Sequence, residues 1–324
     1  MLLQIVLFII GLGLVVKGAD WLVDGSSAIA KRLGISDFVI GLTIVGMGTS
    51  APEMVVSFIG AIKGNADIAI GNVIGSNIFN VLLILGATAL ICPMAITKIN
   101  RRKDIPINIG ITVLLLVLGM THTLFGFGND TLSRVDGLLF LVLFAIYIYM
   151  SFRFDTADDE AEDDGKKISK ALSIFMIVGG LASLVFGGQL FVDSATKIAK
   201  MMGVSDKFIA ITILAGGTSM PELATCIVAA AKKKGQLALG NILGSNVFNI
   251  LLILGGSALI HPLSFAAINL VDAGALLLSA FVIAFSIYTF KKDQLDRADG
   301  VFLVLTGVGY MRWLRLTSKR YTLK

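Results

Sequence analysis

Charge is scarce in this sequence, and so are the side chains on which most enzymes and metalloproteins depend. Only 15% of the 324 residues are Asp, Glu, Lys or Arg, where soluble domains carry near a quarter. With 56% hydrophobic residues and a mean hydropathy of +0.88, the composition excludes an ordinary water-soluble domain. Two cysteines, Cys92 and Cys226, give no disulfide framework and read as unpaired thiols in apolar surroundings. Two histidines, His122 and His261, with no HExxH segment, leave no zinc-protease site. An intramembrane serine hydrolase ranks last for the same reason: Ser76 or Ser245 would need a general base, and neither histidine lies in a comparable motif. The acidic stretch at 158–164 lacks the glycine turn and spaced ligands of an EF-hand loop. The net charge of +5 reports membrane topology before it reports ligands, so no nucleic-acid partner is expected.

What the chain has instead is long apolar runs. Uncharged stretches at 2–16, 68–97, 105–121, 137–152, 171–192 and 235–260 are of bilayer-spanning character, and 38–62 and 208–231 are apolar throughout except for Glu53 and Glu222. Ten helices are predicted, at 2–30, 38–62, 68–92, 105–124, 135–152, 171–200, 208–231, 236–260, 271–290 and 299–314. The opening MLLQIVLFIIGLGLVV has no basic n-region and no clear small-residue cleavage site, so it reads as the first span and not as a removed signal. The fold class is an all-α polytopic membrane protein.

The sequence is also written twice. Residues 34–94 and 203–263 align without a gap, so that Glu53 and Glu222, Ser76 and Ser245, and Asn80 and Asn249 each stand 169 positions apart. The same offset aligns 11–34 with 180–203, while SRVDGLLFLVL at 133–143 echoes DRADGVFLVLT at 296–306. Each half, 1–152 and 171–324, is a five-helix repeat, and an odd helix count sends the second copy into the membrane upside down. The charged segment 153–170 between them reads as a solvent-exposed, cytoplasmic linker. Counting Lys and Arg favours an N-terminus outside a cell membrane: Lys31, Arg32, Arg101, Arg102, Lys166 and Lys232 to Lys234 then fall inside, although the basic tail from Arg312 to Lys324 runs against the rule.

Positions matched strictly between the copies are mostly Gly, Pro and oxygen-bearing side chains, which marks a duplicated polar site inside an apolar scaffold. GTSAPE (48–53) and GTSMPE (217–222) place Thr49, Ser50 and Glu53, and their mates Thr218, Ser219 and Glu222, on one helical face by spacing. Pro52 and Pro221 have no N–H and clash with the carbonyls of Gly48 and Gly217, freeing backbone oxygens beside the carboxylates. In hydrocarbon, broken backbone survives only where it lines a polar cavity. GNVIGSNIFN (71–80) and GNILGSNVFN (240–249) add Ser76 with Asn80 and Ser245 with Asn249, each pair four apart on one face. The donor set is all oxygen, which suits Ca²⁺ and Na⁺ and not Zn²⁺ or Cu⁺. Two carboxylates neutralise one Ca²⁺ or hold two to three Na⁺.

The bland alternatives differ in weight. A lone Ser or Thr in a membrane helix usually back-bonds to its own helix, but a charged group at the bilayer centre costs ~2.5–3.5 kcal/mol on insertion scales, so two unpaired glutamates are not packing features. Ser36–Asp37 and Ser205–Asp206 read as helix N-caps. Asp24 and Asp193 read as residues near helix ends facing interfacial water, and both histidines as interfacial. An antiporter leads, with proton coupling as runner-up because two buried glutamates can carry protons. A passive cation channel is the alternative of a different class, and it fits less well, since the polar positions concentrate at mid-depth of two inverted halves.

The paired GTS-x-PE and GN-x-x-GSN-x-x-N signatures resemble the two α-repeats of the sodium/calcium exchanger family, among the cation/calcium antiporters, over essentially the whole chain. The resemblance implies Na⁺/Ca²⁺ exchange by alternating access, with Ca²⁺ and Na⁺ as cargo, no cofactor, a lipid bilayer around the chain and a monomeric functional unit. It implies a central Ca²⁺ site of Glu53 and Glu222 with backbone oxygens of Thr49 and Thr218. One flanking Na⁺ site would use Glu53, Thr49, Ser245 and the Gly46 carbonyl; the other Glu222, Thr218, Ser76 and the Ala215 carbonyl. Asn80 and Asn249 would line the middle, where some members carry one aspartate; two neutral amides here lower the negative charge of the site and leave K⁺ or H⁺ involvement open. The linker is too short for the large cytosolic domain of animal members.

Overall fold

The predicted apolar runs are helices wherever the structure describes them; the start of the run at 208–231, residues 208–214, lies outside the described residues. The computed structural model describes residues 1–154, 168–202, 215–266, 268–289 and 293–321. Its helices are α1 (Leu2–Leu33), α2 (Asp37–Thr49), α3 (Ala51–Ile62), α4 (Ala66–Ile91), α5 (Ile105–Gly119), α6 (Arg134–Arg153), α7 (Lys170–Met201), α8 (Met220–Ala231), α9 (Gly235–Ile260), α10 (Leu270–Thr289) and α11 (Arg297–Tyr321). Among the described residues α1, α4, α6, α7 and α9 are long and apolar enough to cross a bilayer, and α2 with α3, bent by 48° at a one-residue break, makes a sixth span. Their outer faces carry exposed Leu3, Ile9, Val16, Leu138, Phe175 and Phe186, as contact with lipid requires. Ser36 caps α2 by accepting the Val39 N–H at 3.1 Å, as its sequence indicates. The Ser205–Asp206 pair and residues 155–167 of the linker lie outside the described residues.

The equivalent helices α1 and α7 run in opposite directions. In α1, Gly11 lies against Gly187 and Phe191 of α7, Gly18 against Gly180 and Leu184, and Gly25 against Ser173. A Cβ on Gly18 would stand 2.8 Å from the Gly180 carbonyl oxygen, and one on Gly180 would stand 2.7 Å from that of Gly18. Small residues let the two backbones meet, as helix pairs in lipid require. Because Gly11 corresponds to Gly180 and Gly18 to Gly187, the Gly11–Gly187 contact and the Gly18–Gly180 contact are mates of each other, with partners exchanged.

Two short ribbons repeat this exchange. Strand β1 (Met94–Ala95) pairs antiparallel with β4 (Gln294–Leu295), and β2 (Thr131–Leu132) with β3 (Leu263–Ser264). Each joins one copy to the other, and since α5 separates β1 from β2, the ribbons sit at opposite ends of that helix. Matched Met94 and Leu263 face Leu295 and Leu132, all four buried.

One turn differs between the copies. After α3, Gly64 takes φ 68°; after α8 the same turn places Lys233 at φ 60°, the only non-glycine with positive φ among the described residues. Both turns close alike, with Asn65 N–H on the Gly60 carbonyl at 2.9 Å and Lys234 N–H on that of Ala229 at 2.8 Å. A left-handed conformation costs an L side chain about 1–2 kcal/mol, so Lys233→Gly raises thermal stability by that order, measured against wild type in the same detergent.

Candidate functional site

The helix restarts at the prolines. Ser50 (φ −81°, ψ 7°) and Ser219 (φ −86°, ψ 10°) leave helical geometry in the same way, and α3 and α8 each begin with a proline in the first turn. The shared helical face expected for Thr49, Ser50 and Glu53 is therefore corrected: Thr49 ends α2, Ser50 is the break, and Glu53 sits in the first turn of α3. They still converge, because the bend turns both helix ends toward the centre. Thr49, Ser50, Glu53, Asn80, Ser219, Glu222, Ser245 and Asn249 are all 0% exposed.

Each serine at a break serves the other copy's carboxylate. Ser50 Oγ donates to Glu222 Oε1 at 2.9 Å, and its mate Ser219 Oγ donates to Glu53 Oε1 at 3.2 Å. Ser76 Oγ adds a donor to Glu53 Oε1 at 3.3 Å. The resemblance grouped Ser76 with Glu222; the structure sets it against Glu53 and Ser219, 3.2 Å from the latter's hydroxyl. Ser245 Oγ donates to the Gly46 carbonyl at 3.3 Å, and Thr49 Oγ1 lies 3.4 Å from that oxygen, so three members of one expected group meet. Thr218 is half-buried, and Ala215 opens the short turn Ala215–Gly217. Elsewhere the buried hydroxyls of Thr43, Thr88, Thr112 and Ser151 bond back to their own helices four residues earlier. Ser50, Ser76, Ser219 and Ser245 reach across to other helices, which separates them from merely structural hydroxyls.

A second layer of amides was present in the motifs without an assigned role. Asn80 Nδ2 donates to Asn246 Oδ1 at 3.2 Å, and its mate Asn249 Nδ2 donates to Asn77 Oδ1 at 2.9 Å. Asn241 Oδ1 accepts from Thr49 Oγ1 at 3.2 Å, and its Nδ2 stands 3.2 Å from Cys226 Sγ. In the first copy Asn72 donates to Ser57 Oγ at 3.0 Å and to the Glu53 carbonyl at 3.1 Å. The signal in the sequence was the strict match of all four, Asn72 with Asn241 and Asn77 with Asn246. A π-helical turn begins at or beside each central asparagine, Asn80–Leu85 and Phe248–Leu254, and a third, Gly41–Val45, leads into Gly46. Such single-turn bulges recur at functional sites because they re-aim side chains.

The amide network leaves a matched set of oxygens over. Glu53 Oε2, Glu222 Oε2, Asn80 Oδ1 and Asn249 Oδ1 are buried acceptors with no donor among the described residues. Buried polar atoms are normally satisfied. Here four acceptors at two pairs of equivalent positions, buried where the two copies meet, form an oxygen cage without a donor among the described residues. Other expectations resolve simply: Cys92 and Cys226 are free thiols, and His261 is exposed beside the Pro262 carbonyl. Asp24 is partly exposed, its side chain at 36%, but it lies inside α1 and stands 2.6 Å from Lys232 Nζ, which also reaches Asp20 at 2.6 Å.

An all-helical membrane fold of two oppositely directed copies, with a buried oxygen cage at their junction, defines a secondary ion transporter. The chain belongs to the sodium/calcium exchanger protein family, whose model matches residues 3–153 and 172–314. It is 36% identical to the membrane protein MJ0091 of Methanocaldococcus jannaschii, over 92% of this chain and 94% of that one. It is 33% identical to the sodium/calcium exchanger MaX1 of Methanosarcina acetivorans, over 94% and 96%. Among solved structures, the sodium-calcium exchanger NCX_Mj soaked with zero Na⁺ and Ca²⁺ superposes with a TM-score of 0.83 at 31% identity, covering 97% of this chain and 99% of that one.

Proposed function

We propose that this chain exchanges Na⁺ for Ca²⁺ across a cell membrane by alternating access, and that Glu53 and Glu222 hold the ions. The observation that carries this reading is the set of four donor-less oxygens, Glu53 Oε2, Glu222 Oε2, Asn80 Oδ1 and Asn249 Oδ1. Ca²⁺ sits between the two carboxylates with the backbone oxygens of Thr49 and Thr218, and Asn80 and Asn249 line the middle. Na⁺ takes the flanks: Glu53, Thr49, Ser245 and the Gly46 carbonyl on one side, Glu222, Thr218 and the Ala215 carbonyl on the other, while Ser76 serves Glu53. The hydroxyls of Ser50 and Ser219 hold each carboxylate from the opposite repeat, so both repeats must close together on an ion.

Obligatory exchange follows from electrostatics. An empty site leaves two buried carboxylates uncompensated, each at the cost of a charge in hydrocarbon. The alternation between sides therefore proceeds with cations bound and is suppressed without them. Na⁺ and Ca²⁺ share the same two carboxylates, so loading one expels the other. The repeats 1–152 and 171–324 are the moving halves, ten spans in all, with the 153–170 linker and the ends bearing Arg32 and Lys232 on the cytoplasmic side. Each chain holds a complete site, so the monomer is the functional unit.

The test is uptake of radiolabelled Ca²⁺ into proteoliposomes under imposed Na⁺, K⁺ or pH gradients. An outward Na⁺ gradient drives Ca²⁺ in, and external Na⁺ inhibits the uptake. Flux that follows a pH gradient and ignores Na⁺ would move the assignment to proton exchange, and uncoupled flux would move it to a channel.

A further inference from the structure

A crevice away from the oxygen cage carries the clearest unassigned feature. Ile29, Arg32 and Leu33 of α1, Ile44 of α2, and Lys170, Ile174 and Ile177 of α7 enclose about 520 Å³. Five of these seven are apolar, and the two cations lie where the last turn of α1 meets the first residue of α7, both exposed. Arg32 spends one nitrogen on the Ile168 carbonyl at 2.5 Å; Lys170 has no ion-pair partner among the described residues. A pit with greasy walls and a positive rim, opening at the end of lipid-facing helices, matches a molecule with an apolar tail and an anionic head.

The duplicated sequence supplies a built-in comparison. At the offset of 169, the wall residues Ile29, Leu33, Ile44, Ile174 and Ile177 correspond to Ile198, Met202, Ile213, Ile5 and Phe8, so apolar character is kept throughout. Arg32 corresponds to Met201 and Lys170 to Met1, so the cationic side chains are not kept. Walls alone are what packing and lipid solvation require of both halves. Positive charge added at one end only is a departure from the duplicate, and it falls on the face where basic loop residues concentrate. Anionic lipids are concentrated in the cytoplasmic leaflet.

We propose that this crevice binds one anionic glycerophospholipid, with an acyl chain between α1, α2 and α7 and its phosphate on Arg32 and Lys170. Ile44 lies within the π-helical turn Gly41–Val45, directly before Gly46, so the bound chain braces the α1–α7 pair against the helix that presents the Gly46 carbonyl.

The experiment counts lipid retained by the purified full chain, by native mass spectrometry, after equilibration with mixed phosphatidylglycerol and phosphatidylcholine vesicles. Wild type retains one phosphatidylglycerol that Arg32→Gln/Lys170→Gln loses. Each basic side chain near the membrane surface is worth about fivefold in anionic-lipid binding, so the preference falls about 25-fold. Ile174→Trp fills the crevice, keeps both charges and loses the lipid as well. Unchanged retention in the double variant overturns the proposal. Retention by Ile174→Trp, with inorganic phosphate competing equally well, marks a simple anion site and also overturns it. If wild type retains no lipid until the linker acids Asp158 to Asp164 are neutralised, the occupant is this chain's own linker and the proposal fails. All variants are compared for thermal unfolding, and because the readout is binding, it stands apart from the outcome of the exchange assay.

Discussion

Glu53→Gln and Glu222→Gln each abolish Na⁺-driven Ca²⁺ uptake while the purified variants unfold at or above the wild-type temperature in the absence of Ca²⁺. Glutamine keeps the shape of glutamate and an oxygen that can accept from Ser219 and Ser76, or from Ser50 in the other copy. What it removes is charge at a fully buried position. Without cations, the wild-type pair are two carboxylates in a dry site, so removing one relieves repulsion. With Ca²⁺, the loss leaves the cation half neutralised. Deleting one member of a buried charge pair costs about 3–5 kcal/mol, equivalent to a hundredfold or more in affinity. Two measurements check this: radiolabelled uptake in proteoliposomes, and the rise in unfolding temperature on adding Ca²⁺, which wild type shows and the variants lack. Either variant exchanging Ca²⁺ near the wild-type rate, or gaining the same Ca²⁺-dependent stabilisation, sinks the assignment of both glutamates.

Gly240→Ala is the second large effect, and it acts through backbone rather than charge. A Cβ there would stand 2.1 Å from the Phe38 carbonyl oxygen, and one on Gly244 would stand 2.2 Å from that of Leu42. Neither obstacle is a side chain that can turn aside, so α2 and α9 must separate. Overpacking typically costs about 1–3 kcal/mol, with backbone obstruction at the upper end. Separation also draws the Gly46 carbonyl away from Ser245 Oγ, now 3.3 Å apart. The variant is therefore expected to lose thermal stability and to need more Na⁺ for half-maximal exchange. Gly110→Ala serves as control, since a Cβ there meets no described atom within 4 Å. Equal thermal stability and Na⁺ dependence in Gly240→Ala would show that the two helices do not set the carbonyl.

Much of this molecule was legible before any coordinates. The run lengths gave most of the described helices to within a few residues, because hydrocarbon tolerates little else, although α11 continues past its predicted end at 314 to Tyr321. The strict match of polar residues between copies located the cage, since chance does not duplicate Glu, Pro, Ser and Asn at one spacing inside apolar helices. Three things were not legible. Helical spacing put Thr49, Ser50 and Glu53 on one face, whereas the proline splits that face between two helices. The donation of Ser50 to Glu222 and of Ser219 to Glu53 depends on how inverted copies dock, which no local spacing encodes. The amide bonds that join Asn77 to Asn249 and Asn80 to Asn246 run between α4 and α9, so they too depend on how the copies dock, which a wheel of either helix alone does not show.

The two ribbons bear on how the protein is made. Met94 finds Leu295 only after some two hundred further residues have left the ribosome, and Leu132 must wait for Leu263. Until then the strands of the first half, at opposite ends of α5, have no partner to complete their backbone pairing. Both seams therefore close only once the second half has been made, so neither half completes its own backbone pairing alone.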